Sequence, residues 1–107
     1  MTRYRTYETT LVEWLRRDPD NCRDYLEGPL AAYNEDQDSG ALLLALRAVA
    51  DAQGGIGRLA KVSDVGRQTL YKALSAEGNP RLDTVGAILR GLGYELALQP
   101  INASPTT

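Results

Sequence analysis

The stretch from Ile56 to Leu74, IGRLAKVSDVGRQTLYKAL, constrains the fold more than any other part of the chain. Two short helical patterns flank a tight turn. Leu59 and Ala60 face inward from the first, and Ala60 is small, as a close helix crossing requires. Val65 stands in the turn and plugs the angle between the helices. Leu70 and Leu74 face inward from the second. This spacing predicts a helix-turn-helix.

The rest of the chain repeats the helical period. Tyr7, Leu11, Trp14 and Leu15 recur at i, i+4, i+7 and i+8, which is one apolar helical face. That helix is expected to stop near Arg17, because the residue before Pro19 is pushed out of the helical region. Asp18 then serves as N-cap and Pro19 as first residue of the next segment. There Cys22, Tyr25, Leu26, Leu30 and Tyr33 share a face, and Gly28-Pro29 predicts a kink, or a break and restart. Asn34 to Gly40 reads as a loop, with Asp38 or Ser39 capping a Leu- and Ala-rich central helix from Ala41 to about Gln53. Gly54-Gly55 ends it. Beyond the two short helices, Gly78-Asn79-Pro80 is a turn. Leu82, Val85, Leu89 and Leu92 mark a last helix, ended by Gly91 or Gly93. Tyr94 to Gln99 alternates with a period of two and predicts a short strand. The expected architecture is all-α, with five to six helices. It divides into an acidic helical arm (1–40), a core domain with its C-terminal strand (41–99) and a flexible tail (100–107).

Composition removes whole classes of function. The chain has no histidine and one cysteine among its 107 residues. A Ser-His-Asp or Cys-His system cannot form, nor can a zinc site of the usual Cys/His kind, nor an internal disulfide. No cofactor or metal is expected, and no enzyme activity. Asp20 and Asp24 in the arm read as caps and solvated charge. Cys22 reads as a small core residue. Gly54-Gly55-Ile56-Gly57 lacks the preceding strand and the Lys-Ser/Thr of a phosphate loop. The longest apolar run, Ala41 to Leu46, falls far short of the ~20 residues that span a bilayer. With no signal-peptide pattern after Met1, the expected address is the cytoplasm.

The formal net charge is −2, but it is unevenly spread. Residues 1–40 hold five Arg against nine Asp or Glu. Arg58, Lys61, Arg67 and Lys72 stand together against Asp64 alone. A basic stripe in a near-neutral chain is an electrostatic footprint for nucleic acid, although a solvated helix face has the same composition. The outward residues are the types that read DNA: Arg67 suits guanine O6/N7, Gln68 suits adenine N6/N7, and Thr69 suits a base edge or thymine methyl. Lys72 lies on the same side with Tyr71 nearby, and Arg58 and Lys61 fall near phosphate.

Residues 41–99 resemble the Xre, or Cro/C1-type, helix-turn-helix domain. More narrowly, GRQTLYKALSAEGNPRLDTVGAILRGLGYEL resembles the HigA-like addiction module antidotes of bacterial type II toxin–antitoxin systems. Its most specific parts are Arg67 to Ser75 and Glu77-Gly78-Asn79-Pro80. The resemblance is strong over residues 58–96 and weak before 40. It implies a DNA-binding antitoxin that represses its own operon, binds a double-stranded operator as a homodimer, and neutralises a small basic toxin of the RelE/HigB ribonuclease type. Three positions depart from the family pattern. Asp64 stands where Gly is frequent and is expected in a left-handed or similar conformation. Gly66, at the head of the recognition helix, replaces a frequent Ser cap. Arg81 replaces a Ser or Thr cap.

Further expectations complete the reading. Tyr94, Leu96 and Leu98 form the dimer strand, since a lone strand needs its twofold mate. Charge complementarity places the toxin on the acidic arm, with Tyr7, Leu11, Trp14 and Tyr25 as candidate anchors. The same aromatics equally suit packing of the arm onto the main domain. Two alternatives stand beside the antitoxin: a stand-alone Xre-type repressor of phage or plasmid type, and a protein–protein adaptor that has lost DNA binding.

Overall fold

The computed structural model describes residues 7–101, with side chains from Thr10 onward. They form six α-helices: α1 (Tyr7–Arg17), α2 (Pro19–Asp36), α3 (Gly40–Ala52), α4 (Ile56–Ser63), α5 (Arg67–Ala73) and α6 (Leu82–Leu92). The chain is all-α, as expected. Residues 102–107 of the expected tail and the Tyr7 side chain lie outside the described residues.

The α1–α2 joint forms where Asp18-Pro19 predicts it. Asp18 is extended (φ −151°, ψ 125°), its carboxylate accepts the Asp20 N–H at 3.0 Å, and Pro19 opens α2. The Asn21 side-chain amide donates to the Trp14 carbonyl at 2.8 Å, which satisfies one of the orphan acceptors at the end of α1.

Of the kink, or break and restart, expected at Gly28-Pro29, the break does not occur: α2 runs on through Pro29 to Asp36. Proline deletes one rung of the hydrogen-bond ladder, but the helix is held on both sides of it. Cys22, Tyr25 and Leu26 pack on the core before it. After it, Gln37 turns left-handed (φ 62°) and donates its N–H to the Tyr33 carbonyl at 2.7 Å. The loop predicted from Asn34 is therefore only Gln37 to Ser39. Within it Asp38 does the capping, accepting the Gly40 N–H at 3.1 Å, while Ser39 makes no side-chain cap bond.

Helix α3 is the hub. Leu43, Ala45, Leu46, Val49, Ala50 and Ala52 are buried along it. Helices α1 and α2 pack on α3 and on each other, and α4 packs on α3, α5 and α6. One cluster joins Leu15 and Cys22 of the arm to Val49, Leu59, Leu70, Leu74, Ile88 and Leu92. Each large aliphatic side chain buried there contributes about 1.5–3 kcal/mol. Burial also pushes the Cys22 thiol pKa up, in keeping with a packing role.

The far end of α3 is tied twice. Gly55 donates to the Ala50 carbonyl at 2.8 Å, the six-to-one bond of a Schellman motif. Arg16 donates from Nε to the Ala52 carbonyl and from Nη2 to the Asp51 carbonyl, both at 3.2 Å, so a cation sits on the negative end of the helix dipole. Gln53 then donates to the Leu92 carbonyl at 3.0 Å and links the ends of α3 and α6.

Helix α6 ends at Gly93, whose φ of 98° only glycine adopts freely, with Tyr94 donating to the Leu89 carbonyl at 2.8 Å. Gly91 is not the stop. It is the point where α6 crosses α4: a Cβ there would lie 2.7 Å from Leu59 Cδ1.

The strand expected over Tyr94 to Gln99 is not formed. Residues 94–100 carry no regular secondary structure, and there is no strand among the described residues. Among the described residues no second segment pairs with it, and one segment of alternating residues cannot form a ladder alone.

Candidate nucleic-acid interface

The junction of α4 and α5 is built by local chemistry. Ile56 and Leu59 bury from α4, and Leu70 and Ala73 from α5. Between them Asp64 takes the left-handed conformation its position requires (φ 60°, ψ 29°), and its N–H donates to the Ala60 carbonyl at 3.1 Å. Ser63 braces the turn from within. Its hydroxyl donates to the Leu59 carbonyl at 2.6 Å and accepts the Val65 N–H at 3.3 Å. Val65 packs half-buried against the core, in the wedge position read from the sequence.

Left-handed backbone costs a non-glycine residue about 1–2 kcal/mol, less for Asp than for most. Asp64→Gly is therefore expected to raise the urea midpoint at constant m-value, by roughly 1 kcal/mol of stability. An unchanged midpoint would mean that the turn carries no strain.

Gly66 is extended (φ −64°, ψ 150°) and heads α5 with no side-chain cap. Its carbonyl accepts the Leu70 N–H at 3.0 Å, which starts the helix. The exposed residues are then Arg67, Gln68, Thr69, Tyr71 and Lys72, and on α4 Arg58 and Lys61. The four cations of the basic stripe thus lie on the solvent side of two adjoining helices. A shallow groove between them is lined by Gly57, Ala60, Lys61, Asp64, Gly66 and Arg67. The Arg67 guanidinium lies back along this groove. A Cβ on Gly57 would be 2.9 Å from its Nη2, so the missing side chain at 57 makes its slot.

The structure adds a residue that the sequence reading missed. Arg47 of α3 places its guanidinium carbon 5.0 Å from the centre of the Tyr71 ring, a cation–π contact. Arg47 and Asp51 at i, i+4 were a readable pair, but nothing local in the sequence joins position 47 to position 71.

The other expected sites are placed as follows. Leu11 and Tyr25 pack partly buried against the core, and Trp14 is 38% exposed. Tyr94 also packs partly against the core, and its hydroxyl pKa is raised, first by burial and then by the nearby Cys22. Leu96 and Leu98 are exposed. Among the described residues no group of His, Cys, Asp or Glu is arranged to hold a metal, and no helix is long and apolar enough to cross a membrane.

The family profile described as "probable addiction module antidote protein" matches residues 9–100, which takes in all six helices but the first two residues of α1. The chain belongs to this family. Comparison with curated proteins and with solved structures gives no match. An addiction module pairs a toxin with its antidote, so membership gives this chain an antitoxin role and a toxin as partner. Among the described residues, acidic side chains of α2 and basic side chains of α4 and α5 are exposed.

Proposed function

We propose that this antidote is a HigA-like antitoxin with an Xre, Cro/C1-type helix-turn-helix domain. It binds the operator of its own operon as a homodimer, represses it, and neutralises a small basic ribonuclease of the RelE/HigB type. The observation that carries the reading is the two-sidedness of α5. Leu70 and Ala73 are buried, while Arg67, Gln68, Thr69, Tyr71 and Lys72 all face solvent beside Arg58 and Lys61. A chain of net charge −2 that sets four of its twelve Lys and Arg on one pair of helices, beside side chains that match base edges, is arranged for the major groove. In this reading Arg67 leaves its slot over Gly57 to meet a guanine, Gln68 and Thr69 read neighbouring bases, and Arg58, Lys61 and Lys72 hold phosphates.

Dimerisation supplies what the single chain lacks. Leu98 is 99% exposed in a segment of alternating residues, and pairing Tyr94–Gln99 with its twofold mate covers it. The toxin docks on the arm, where Asp20, Asp24, Glu27 and Trp14 are exposed. Truncating the arm does not test this, because Leu15 and Cys22 belong to the core. Charge reversal at the three acids does.

The deciding experiment expresses the adjacent open reading frame alone and together with this antidote, in cells carrying a reporter of the operon promoter. Arrest by the neighbour, rescue by co-expression and a silent reporter are expected. Arg67→Ala is expected to keep the rescue and derepress the reporter. In vitro it costs about 1–3 kcal/mol at the cognate base pair if the contact is bidentate. Equal loss on every sequence would reduce Arg67 to a phosphate contact. A harmless neighbour with intact operator binding would replace the antitoxin–ribonuclease pairing by a stand-alone repressor.

A further inference from the structure

Arg47 belongs to the core helix α3, yet its side chain is 35% exposed and its guanidinium rests on a ring of α5. Its Nε is buried and makes no hydrogen bond; Asp51 Oδ1 lies 3.6 Å from it. The exposed part of the side chain therefore lies outside Nε. A cation of this kind is held from two sides, by the ring face of Tyr71 and by the Asp51 carboxylate.

The position of Tyr71 gives this arrangement a direction. Tyr71 is half-exposed and follows Arg67 by four residues and Gln68 by three, so it stands one helical turn along the same exposed face. The geometry points to Arg47 as a phosphate-contacting residue of the DNA interface, supplied by α3 and aimed by Tyr71 and Asp51. This rests on the reading of α5 as a recognition helix. A planar guanidinium matches a phosphate in a way that a lysine does not. Fixing it beforehand lowers the entropy lost on binding. The contact adds affinity and orientation, and no base specificity.

The test is a salt titration of DNA binding by the full chain. It uses an operator duplex and an unrelated duplex, with Arg47→Gln, Arg47→Lys and Arg67→Ala beside the wild type. Each phosphate contact contributes about −0.9 to the slope of log K against log salt. Arg47→Gln is expected to flatten the slope by about that amount on both duplexes and leave their affinity ratio unchanged. Arg47→Lys is expected to keep the slope and bind more weakly. A purely structural role would lower the melting temperature and weaken binding with the slope intact, and that result overturns the inference. If Arg47→Gln does not fold, Tyr71→Leu removes the ring that aims the guanidinium. A flattened slope there supports the contact, and an unchanged slope rejects it. If Arg67→Ala loses operator preference while Arg47→Gln keeps the wild-type slope, Arg47 is no contact and the recognition-helix reading stands. If the wild type binds neither duplex, both fall together.

Discussion

Leu70→Ala is expected to lower the unfolding free energy by about 2–5 kcal/mol. Leu70 is 0% exposed and lies in the core cluster together with residues of α1, α2, α3, α4 and α6. Helix α5 has only seven residues, too few to hold a helix by itself in water. Its order comes from burying Leu70, Ala73 and the following Leu74. The substitution removes most of that anchor and leaves a cavity. A domain of this size has roughly 5–15 kcal/mol in total, so the loss is a large share of it. The expected record is a much lower urea midpoint, with DNA binding that recovers only where the protein is folded. Gln68→Ala and Thr69→Ala, on the exposed side of the same helix, stay within about 0.5 kcal/mol. A Leu70→Ala loss below 1 kcal/mol would mean that α5 is not held by this side chain, and the rigid recognition surface would go with it.

The sequence was most readable where the signal is local. Asp18-Pro19 sets a helix boundary by sterics and a cap bond within two residues, and the joint is where those rules place it. Asp64 stands where the resembling family often has Gly, which implied a left-handed turn, and its φ is 60°. The inward residues of α4 and α5 were read from spacing alone, as were the outward cations. What failed was decided by partners distant in the chain. Pro29 forbids one hydrogen bond, but whether a helix breaks there depends on what its flanks pack against. Tyr94 to Gln99 has the strand period, but a period does not provide a second strand. The sequence left open whether the arm packs on the main domain, and Leu15 and Cys22 of the arm join the common core. Arg47 meets Tyr71 only because α3 and α5 share that core. Gly91 and Gly93 were equivalent as stops in the sequence. Tertiary crowding separates them, giving 93 the cap and 91 the crossing.

That separation makes a sharp experiment of two glycines in one helix. Gly86 and Gly91 both lie inside α6, and propensity alone ranks Ala above Gly by roughly 0.5–1 kcal/mol at each. Their surroundings reverse the order at one of them. A Cβ at Gly86 meets nothing within 4 Å, so Gly86→Ala is expected to stabilise the protein by that amount. A Cβ at Gly91 lies 2.7 Å from Leu59 Cδ1 and 3.3 Å from both Ser63 Cβ and Val62 Cγ2. Leu59 is itself buried, so it has no free volume to move into. Gly91→Val therefore pushes α4 away from α6, at about 3 kcal/mol, the upper end for overpacking. Because Ser63 braces the turn into α5, the displacement reaches the exposed α4–α5 surface. Operator affinity is then expected to fall more than the folded fraction accounts for, whereas Gly86→Ala leaves it unchanged. Thermal or urea unfolding of the two variants, run beside operator titrations, checks both halves. Equal stabilisation at 86 and 91 would show that α4 and α6 do not approach at Gly91, and the placement of the α4–α5 surface on the core would have to be redrawn.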